Sequence, residues 1–293
     1  KGHGQDMIIE SRDNPDDSDM IRFEDVLFDD VLFRRDNYDL TLFGYHQNDS
    51  VTLKSFFVSS DHQIEQFKFT DRSLSLAELK QVGTTWVGTD NNDALTDWEG
   101  SANSVLYGGN GNDKITAGDG NDVLIGGKGR DQLNGGRGAD TYLFAKGHGQ
   151  DMVVETAPNI PNTSTTSNTQ EHDRLRFTDV NFAEVTFRRN NYDLILSGYH
   201  QDDAVTIKAF YANPSYQIEG FDFADRSVNW DNNTNSLITA SDEERAHYLA
   251  AYDKIIHAME AFGGDKSTDI SLTPQEDNKS SLGLIGASSY LNG

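Results

Sequence analysis

Aspartate returns at every ninth position through the middle of the chain, at Asp113, Asp122, Asp131 and Asp140. Each stands sixth in a glycine-rich nonapeptide: GGNGNDKIT from Gly108, AGDGNDVLI from Ala117, GGKGRDQLN from Gly126 and GGRGADTYL from Gly135. The eighth residue of each is large and apolar or aromatic, namely Ile115, Leu124, Leu133 and Tyr142. Six residues of this kind form a turn, because glycines accept backbone angles that other residues resist and let carbonyls converge. The other three form a short strand with one inward side chain, so two nonapeptides complete an 18-residue coil. Coils stacked about 4.8 Å apart set each Asp beside the Asp two turns on, on the same side of the stack. Two carboxylates that close repel unless a divalent cation lies between them. Carboxylates and carbonyls together make the all-oxygen shell that Ca²⁺ selects, with roughly 6 to 8 ligands at about 2.3 to 2.6 Å, whereas Mg²⁺ dehydrates too reluctantly for such a cage.

Two degenerate turns precede the four regular ones. GTDNNDALT from Gly88 supplies Asp93, and EGSANSVLY from Glu99 has Ser104 where Asp is expected, with Asp97 and Trp98 inserted between them. A seventh turn follows in KGHGQD, where Gly147, His148, Gly149, Gln150 and Asp151 fit positions two to six. Turns alternate in side, so Asp93, Asp113, Asp131 and Asp151 fall on one face and Ser104, Asp122 and Asp140 on the other. That arrangement predicts three candidate sites on the first face and two on the second, or about four to five ions in all. The Ser104–Asp122 site lacks one carboxylate and is expected to be the weakest or empty.

The pattern GGxGxDxUx resembles the signature of the repeats-in-toxin (RTX), or hemolysin-type, calcium-binding proteins. The resemblance implies a parallel β-roll. It also implies that carbonyls at positions one and three join the Asp of one turn, while positions two and four join the Asp of the next turn on that side. The implied ligands are then Gly108, Gly109, Asn110 and Gly111 with Asp113; Ala117, Gly118, Asp119 and Gly120 with Asp122; and Gly126, Gly127, Lys128 and Gly129 with Asp131. Gly135, Gly136, Arg137 and Gly138 go with Asp140, and Gly147 and Gly149 with Asp151, while Asp93 opens the series. His3 and His148 read as solvated turn residues, since a calcium site has no use for imidazole.

The elements that position these turns come from a second, larger repeat. KGHGQDMIIES at Lys1 matches KGHGQDMVVET at Lys146, and FRRDNYDLTLFGYHQNDSVTLKSFF from Phe33 matches FRRNNYDLILSGYHQDDAVTIKAFY from Phe187. The offset grows from 145 to 154, so the second copy carries nine extra residues, placed in a Pro, Asn, Ser and Thr-rich stretch at 157–172 that reads as a lengthened surface loop. Each copy is expected to be β throughout, with hairpin turns at Asp36-Asn37 and Asn190-Asn191 and with Phe23, Phe33, Leu40, Leu42, Phe67 and Phe69 in its core. The copies resemble the domain that flanks hemolysin-type repeats, and they are expected to extend and cap the roll. The hexamer at Lys1 would then close another roll lying upstream. The fold expected is all-β: a parallel β-roll at 83–151 between homologous modules at 1–82 and 152–232, then a helix and flexible tail at 241–293. Trp86, Trp98 and Trp230 read as core residues.

Ser241 and Glu244 form a capping box, Leu249, Tyr252, Ile256 and Met259 mark an apolar stripe at helical spacing, and Gly263-Gly264 ends it. RTX proteins leave the cell through an ABC transporter and its adaptor that read a C-terminal signal, and this segment resembles such a signal in character. The charge balance agrees with a cation-binding protein: 48 acidic against 24 basic side chains give −24, which disfavours nucleic acid and anionic membranes. With no cysteine, thiolate sites and disulfides are excluded. No GxSxG elbow or HExxH occurs, so no catalytic residue is expected. The expected role is calcium-dependent folding and secretion at the C-terminus of an exported, extracellular bacterial protein. The alternative is an adhesion module that holds a host-cell or surface ligand on a calcium-stabilised scaffold.

Overall fold

The nine-residue period becomes two facing parallel ladders. In the computed structural model, which describes residues 1–10, 18–97, 103–155 and 172–240, Val105–Gly111 pairs with Val123–Gly129 on one side, Leu106 opposite Leu124. On the other side Lys114–Thr116 pairs with Gln132–Asn134, Ile115 opposite Leu133. Partners in both ladders are thus 18 residues apart, one coil of two nonapeptides. On the first side the strands run on into the glycine turns and last seven residues, instead of the three that the repeat suggests. The apolar residue of each strand points between the ladders, and Leu106, Ile115, Leu124, Leu133 and Tyr142 are completely buried. Such burial contributes about 1.5–3 kcal/mol per side chain.

The ladders do not stop at the repeats. The first continues from Thr141–Phe144 onto Arg174–Phe177 and Gly220–Asp222, all parallel, and forms part of a twelve-stranded sheet. The second continues from Gln132–Asn134 onto Gln150–Val153 and then Ala204–Ile207, within a seven-stranded sheet. Towards the N-terminus, Thr85–Val87 joins the roll to Leu32–Asp36, where Phe33 lies opposite Trp86. One apolar core therefore runs from Ile21 to Val228 and includes Phe23, Phe33, Leu40, Leu42, Phe67, Phe69 and Trp86, while Trp230 packs against it half-buried. Trp98 and the expected helix and tail at 241–293 lie outside the described residues, as does nearly all of the 157–172 stretch.

The large repeat is a repeat of structure. Gln5–Ile9 runs parallel to Ser50–Lys54 just as Gln150–Val153 runs parallel to Ala204–Ile207, with Gln5 opposite Ser50 and Gln150 opposite Ala204. Each copy has a hairpin, Leu32–Asp36 with Asp39–Phe43 and Thr186–Asn190 with Asp193–Ser197. The turns fall one residue later than expected, at Asn37-Tyr38 and Asn191-Tyr192, because Asp36 and Asn190 still pair across the ladder. Asn37 and Asn191 sit at φ of 53° and 54°, a left-handed conformation that Asn tolerates better than most residues. A further departure from an all-strand module is a helical turn at Leu76–Leu79, closed by Ser75 and Glu78 bonding to each other's backbone amides.

Candidate metal centre

The aspartates at position six form two buried rows. Asp93 N–H donates to Oδ1 of Asp113 at 2.8 Å, Asp113 N–H to Asp131 at 2.8 Å, and Asp131 N–H to Asp151 at 2.9 Å. On the opposite side Ser104 N–H donates to Asp122 at 2.7 Å and Asp122 N–H to Asp140 at 2.8 Å. The sides are those that the alternation predicts. Each carboxylate is held by one oxygen from the turn before it, which leaves the other oxygen free to point elsewhere.

That second oxygen is the chemical centre of the structure. Oδ2 of Asp113, Asp122, Asp131 and Asp140 is buried and accepts no hydrogen bond, and the four residues are only 1–2% exposed. A buried carboxylate oxygen without a partner costs on the order of 1–3 kcal/mol or more. Burial pushes the Asp113 carboxyl up to about 6 and those of Asp122 and Asp131 up to about 7, and neighbouring carboxylates add to the rise. The glycine at position one exists for this oxygen: a β-carbon on Gly108, Gly126 or Gly135 would collide with Oδ2 of Asp113, Asp131 or Asp140 of its own turn. The glycine at position two answers to the backbone instead. Gly127, at φ +99°, lies so close to the Gly109 carbonyl of the coil before that no β-carbon fits.

Asn110, Asp119, Lys128 and Arg137 at position three have exposed side chains, so any contribution from them comes through the backbone. Paired carboxylates with a bare oxygen, surrounded by close-packed carbonyls, fit a hard divalent cation, and Ca²⁺ by size. Asn side chains at position five add a second, exposed ladder: Asn92 accepts from the Asn112 amide and Asn103 from the Asn121 amide, each at 2.8 Å.

The two ends of the first row are built differently. Oδ2 of Asp93 accepts from the amide of Thr89 at 2.6 Å and from its hydroxyl at 2.8 Å. Oδ2 of Asp151 is bonded to Nδ1 of His148 at 2.6 Å, and Nε2 of that ring meets the Tyr199 hydroxyl at 2.7 Å. His148 is 4% exposed, so the reading of it as a solvated turn residue is corrected. At position three of the closing turn its side chain goes inward, where Tyr199 and Phe144 cover it. His3 repeats the arrangement with Asp6 and Tyr45 in a more open setting. Gly147 and Gly149 give their amides to Asp203, at 2.6 and 3.1 Å.

Several of these partners escape the nonapeptide count. Asp173 continues the second row by accepting the Asp140 amide at 2.8 Å, although it lies 33 residues downstream. Its own amide goes to Glu219 at 2.9 Å. Asp19 and Glu65 are paired in the same way in the first copy, so alignment of the two copies marks both pairs. Asp203 and its counterpart Asp49 follow the same logic, both bonding the glycine amides of a KGHGQD turn.

Asp131 places one oxygen on the Asp113 amide and has its other oxygen bare, whereas Thr89 already satisfies Asp93. Asp131→Ala is therefore expected to raise the calcium concentration at the folding midpoint by about tenfold or more, a loss of roughly 1.4 kcal/mol or greater. Asp93→Ala should shift it only a few-fold. A calcium titration followed by circular dichroism compares the two, and equal shifts would contradict this assignment.

Residues 100–142 match the RTX calcium-binding nonapeptide repeat in 4 copies. Residues 46–71 and 193–234 match the haemolysin-type calcium binding protein related domain, one segment in each copy of the large repeat. No curated protein matches the chain. Among solved structures, the extracellular lipase LipA from Serratia marcescens is 19% identical, with a TM-score of 0.30 over 69% of this chain and 31% of the lipase chain. This chain thus spans about a third of that protein's length.

Proposed function

Because this chain is an RTX calcium-binding protein, we propose that it serves as a calcium-triggered folding and secretion module of an exported bacterial protein. The observation that carries this reading is the set of four buried Oδ2 atoms, on Asp113, Asp122, Asp131 and Asp140, that accept no hydrogen bond. Where calcium is scarce these carboxylates repel and oppose closure of the roll, so the chain stays extended enough to be threaded through an ABC transporter. Extracellular calcium modules bind at roughly 10⁻⁴–10⁻³ M, and at such concentrations the ion replaces the missing hydrogen bonds and the roll closes outside the cell. The net charge of −24 works in the same direction, since self-repulsion destabilises a compact state. No catalytic step is assigned to the module.

The secretion half of the proposal is tested on the segment 241–293. Its deletion should retain the parent protein inside the cell while calcium-induced folding of residues 1–240 is unchanged. Charged substitutions at Leu249 and Ile256 should lower export without lowering the calcium-bound melting temperature. Normal secretion after the deletion would overturn the secretion role and leave calcium-linked folding standing.

A further inference from the structure

The turn that ends at Ser104 breaks the repeat, because it offers a hydroxyl where its neighbours offer a carboxylate. The insertion just before that turn explains how the roll tolerates the loss. Thr96 pairs with Thr116, and Thr116 with Asn134, so the next residues along these strands, Asp97, Ala117 and Gly135, occupy equivalent places in successive coils. The backbone bonds agree: Asp97 N–H donates to the Thr116 carbonyl at 3.4 Å and Ala117 N–H to that of Asn134 at 2.9 Å. Ala117 and Gly135 are the first residues of their turns. Asp97 therefore stands at position one.

Position one has a fixed relation to position six. A β-carbon on Gly108, Gly126 or Gly135 would run straight into Oδ2 of the aspartate of the same turn, and one on Gly88 would lie 2.9 Å from Oδ2 of Asp93. A side chain at position one is thus delivered to the place where the metal-facing carboxylate oxygen normally sits. With Asp at position six nothing larger than the Ala117 methyl stands there, and with the shorter Ser104 there is room for a carboxylate. Asp97 and Ser104 are the regular glycine and aspartate exchanged.

The surroundings of Asp97 point the same way. It is 9% exposed, although an aspartate at the end of an edge-length strand would ordinarily lie in water. Its carboxylate lies beside the Ser104 hydroxyl, and burial pushes its carboxyl up to about 6. Its charge in turn raises the Asp122 carboxyl, behind the larger effect of burial. Ser104 Oγ and Asp122 Oδ2 are both buried and neither forms a hydrogen bond of normal geometry, while Asp122 Oδ1 accepts the Ser104 amide at 2.7 Å. Two carboxylates and a hydroxyl, all hard oxygen donors, therefore lie together, with Asp122 Oδ2 buried and accepting no hydrogen bond.

We propose that Asp97 supplies the carboxylate missing at Ser104, so that Asp97, Ser104 and Asp122 hold a calcium ion on the second side of the roll. This rests on the calcium-binding reading of the neighbouring turns, and it reverses the expectation that the Ser104–Asp122 site is the weakest or empty. The pair Asp97 and Asp122 offers the ion the same two negative charges as any regular pair.

The test is a calcium count by native mass spectrometry on the full 293-residue chain at saturating calcium, paired with circular dichroism. Asp97→Ala places at position one the residue that Ala117 shows to be tolerated there, and it should bind one ion fewer than the unmodified chain. Adding Ser104→Asp in the same background returns a carboxylate to position six and should restore the lost ion. An unchanged count in Asp97→Ala, or a count that Ser104→Asp does not restore, overturns the proposal. Should Asp97→Ala fail to fold in calcium, the double variant decides by the same criterion. An unmodified chain that takes up no calcium at all would overturn the calcium-binding reading together with this one, which separates the two failures.

Discussion

Removing calcium near neutral pH is expected to abolish most of the β signal of the roll in far-ultraviolet circular dichroism, and millimolar calcium should restore it. Four carboxylate oxygens, on Asp113, Asp122, Asp131 and Asp140, are buried without a hydrogen bond. At about 1–3 kcal/mol each, their combined cost is comparable to the roughly 5–15 kcal/mol that holds a typical domain together. The metal-free roll therefore has little margin, and a ligand that binds only the closed form carries its stability by mass action. Magnesium at the same concentration should not substitute, because it demands near-ideal octahedral geometry and keeps its water. A spectrum that is the same in metal-free buffer, magnesium and calcium would overturn calcium-linked folding.

Protons are expected to replace the metal in part. In the folded chain burial raises Asp97 and Asp113 to about 6 and Asp122 and Asp131 to about 7, from an ordinary 3.8. A carboxyl raised on folding binds protons in the folded state that the unfolded state releases, so the metal-free chain gains stability as pH falls from 7 and loses it as pH rises through 6 to 7. The opposite sense holds for Asp39, Asp71 and Asp231, whose carboxyls hydrogen bonding lowers, so their stabilisation is lost in stronger acid. Between these limits, at about pH 5, a chelexed sample should recover β structure that it lacks at neutral pH. With calcium present the same protonation works against the ion, and the midpoint calcium concentration should rise by at least about tenfold between neutral pH and pH 5. Metal-free chain no more ordered at pH 5 than at pH 7, or a calcium midpoint independent of pH, would contradict the buried-carboxylate account.

The period of nine was enough to read the coil, the inward residues and the two sides, because a strict repeat leaves one way to stack glycine turns. What it could not give lies where the repeat meets other structure. The burial of His148 depends on Tyr199, 51 residues away, and nothing in the turn itself announces that contact. Asp173 extends a row, and Asp203 holds the closing turn, only because the flanking strands continue the ladders beyond the repeats. Asp97 was visible as an insertion, yet its chemistry appears only once Thr96 is known to pair with Thr116. The hairpin turns were misplaced by one residue because Asp-Asn and Asn-Asn are both good turn pairs, and the ladder decided between them. The capping box at Ser75 and Glu78 stands in the sequence as SLAE, a signal that the reading of each copy as β throughout does not use.

The aspartate bonds between coils all share one direction. Along both rows the acceptor comes from later in the chain and the donor from earlier: Asp113 serves Asp93, Asp131 serves Asp113, Asp140 serves Asp122 and Asp173 serves Asp140. The last links reach further still, from Glu219 to Asp173 and from Asp203 to Gly147 and Gly149. A polypeptide growing from its N-terminus always exposes the coil that waits before the coil that completes it. The row therefore runs past the nonapeptides to Glu219, and a chain that ends at the repeats would lack Asp173, the acceptor of the Asp140 amide.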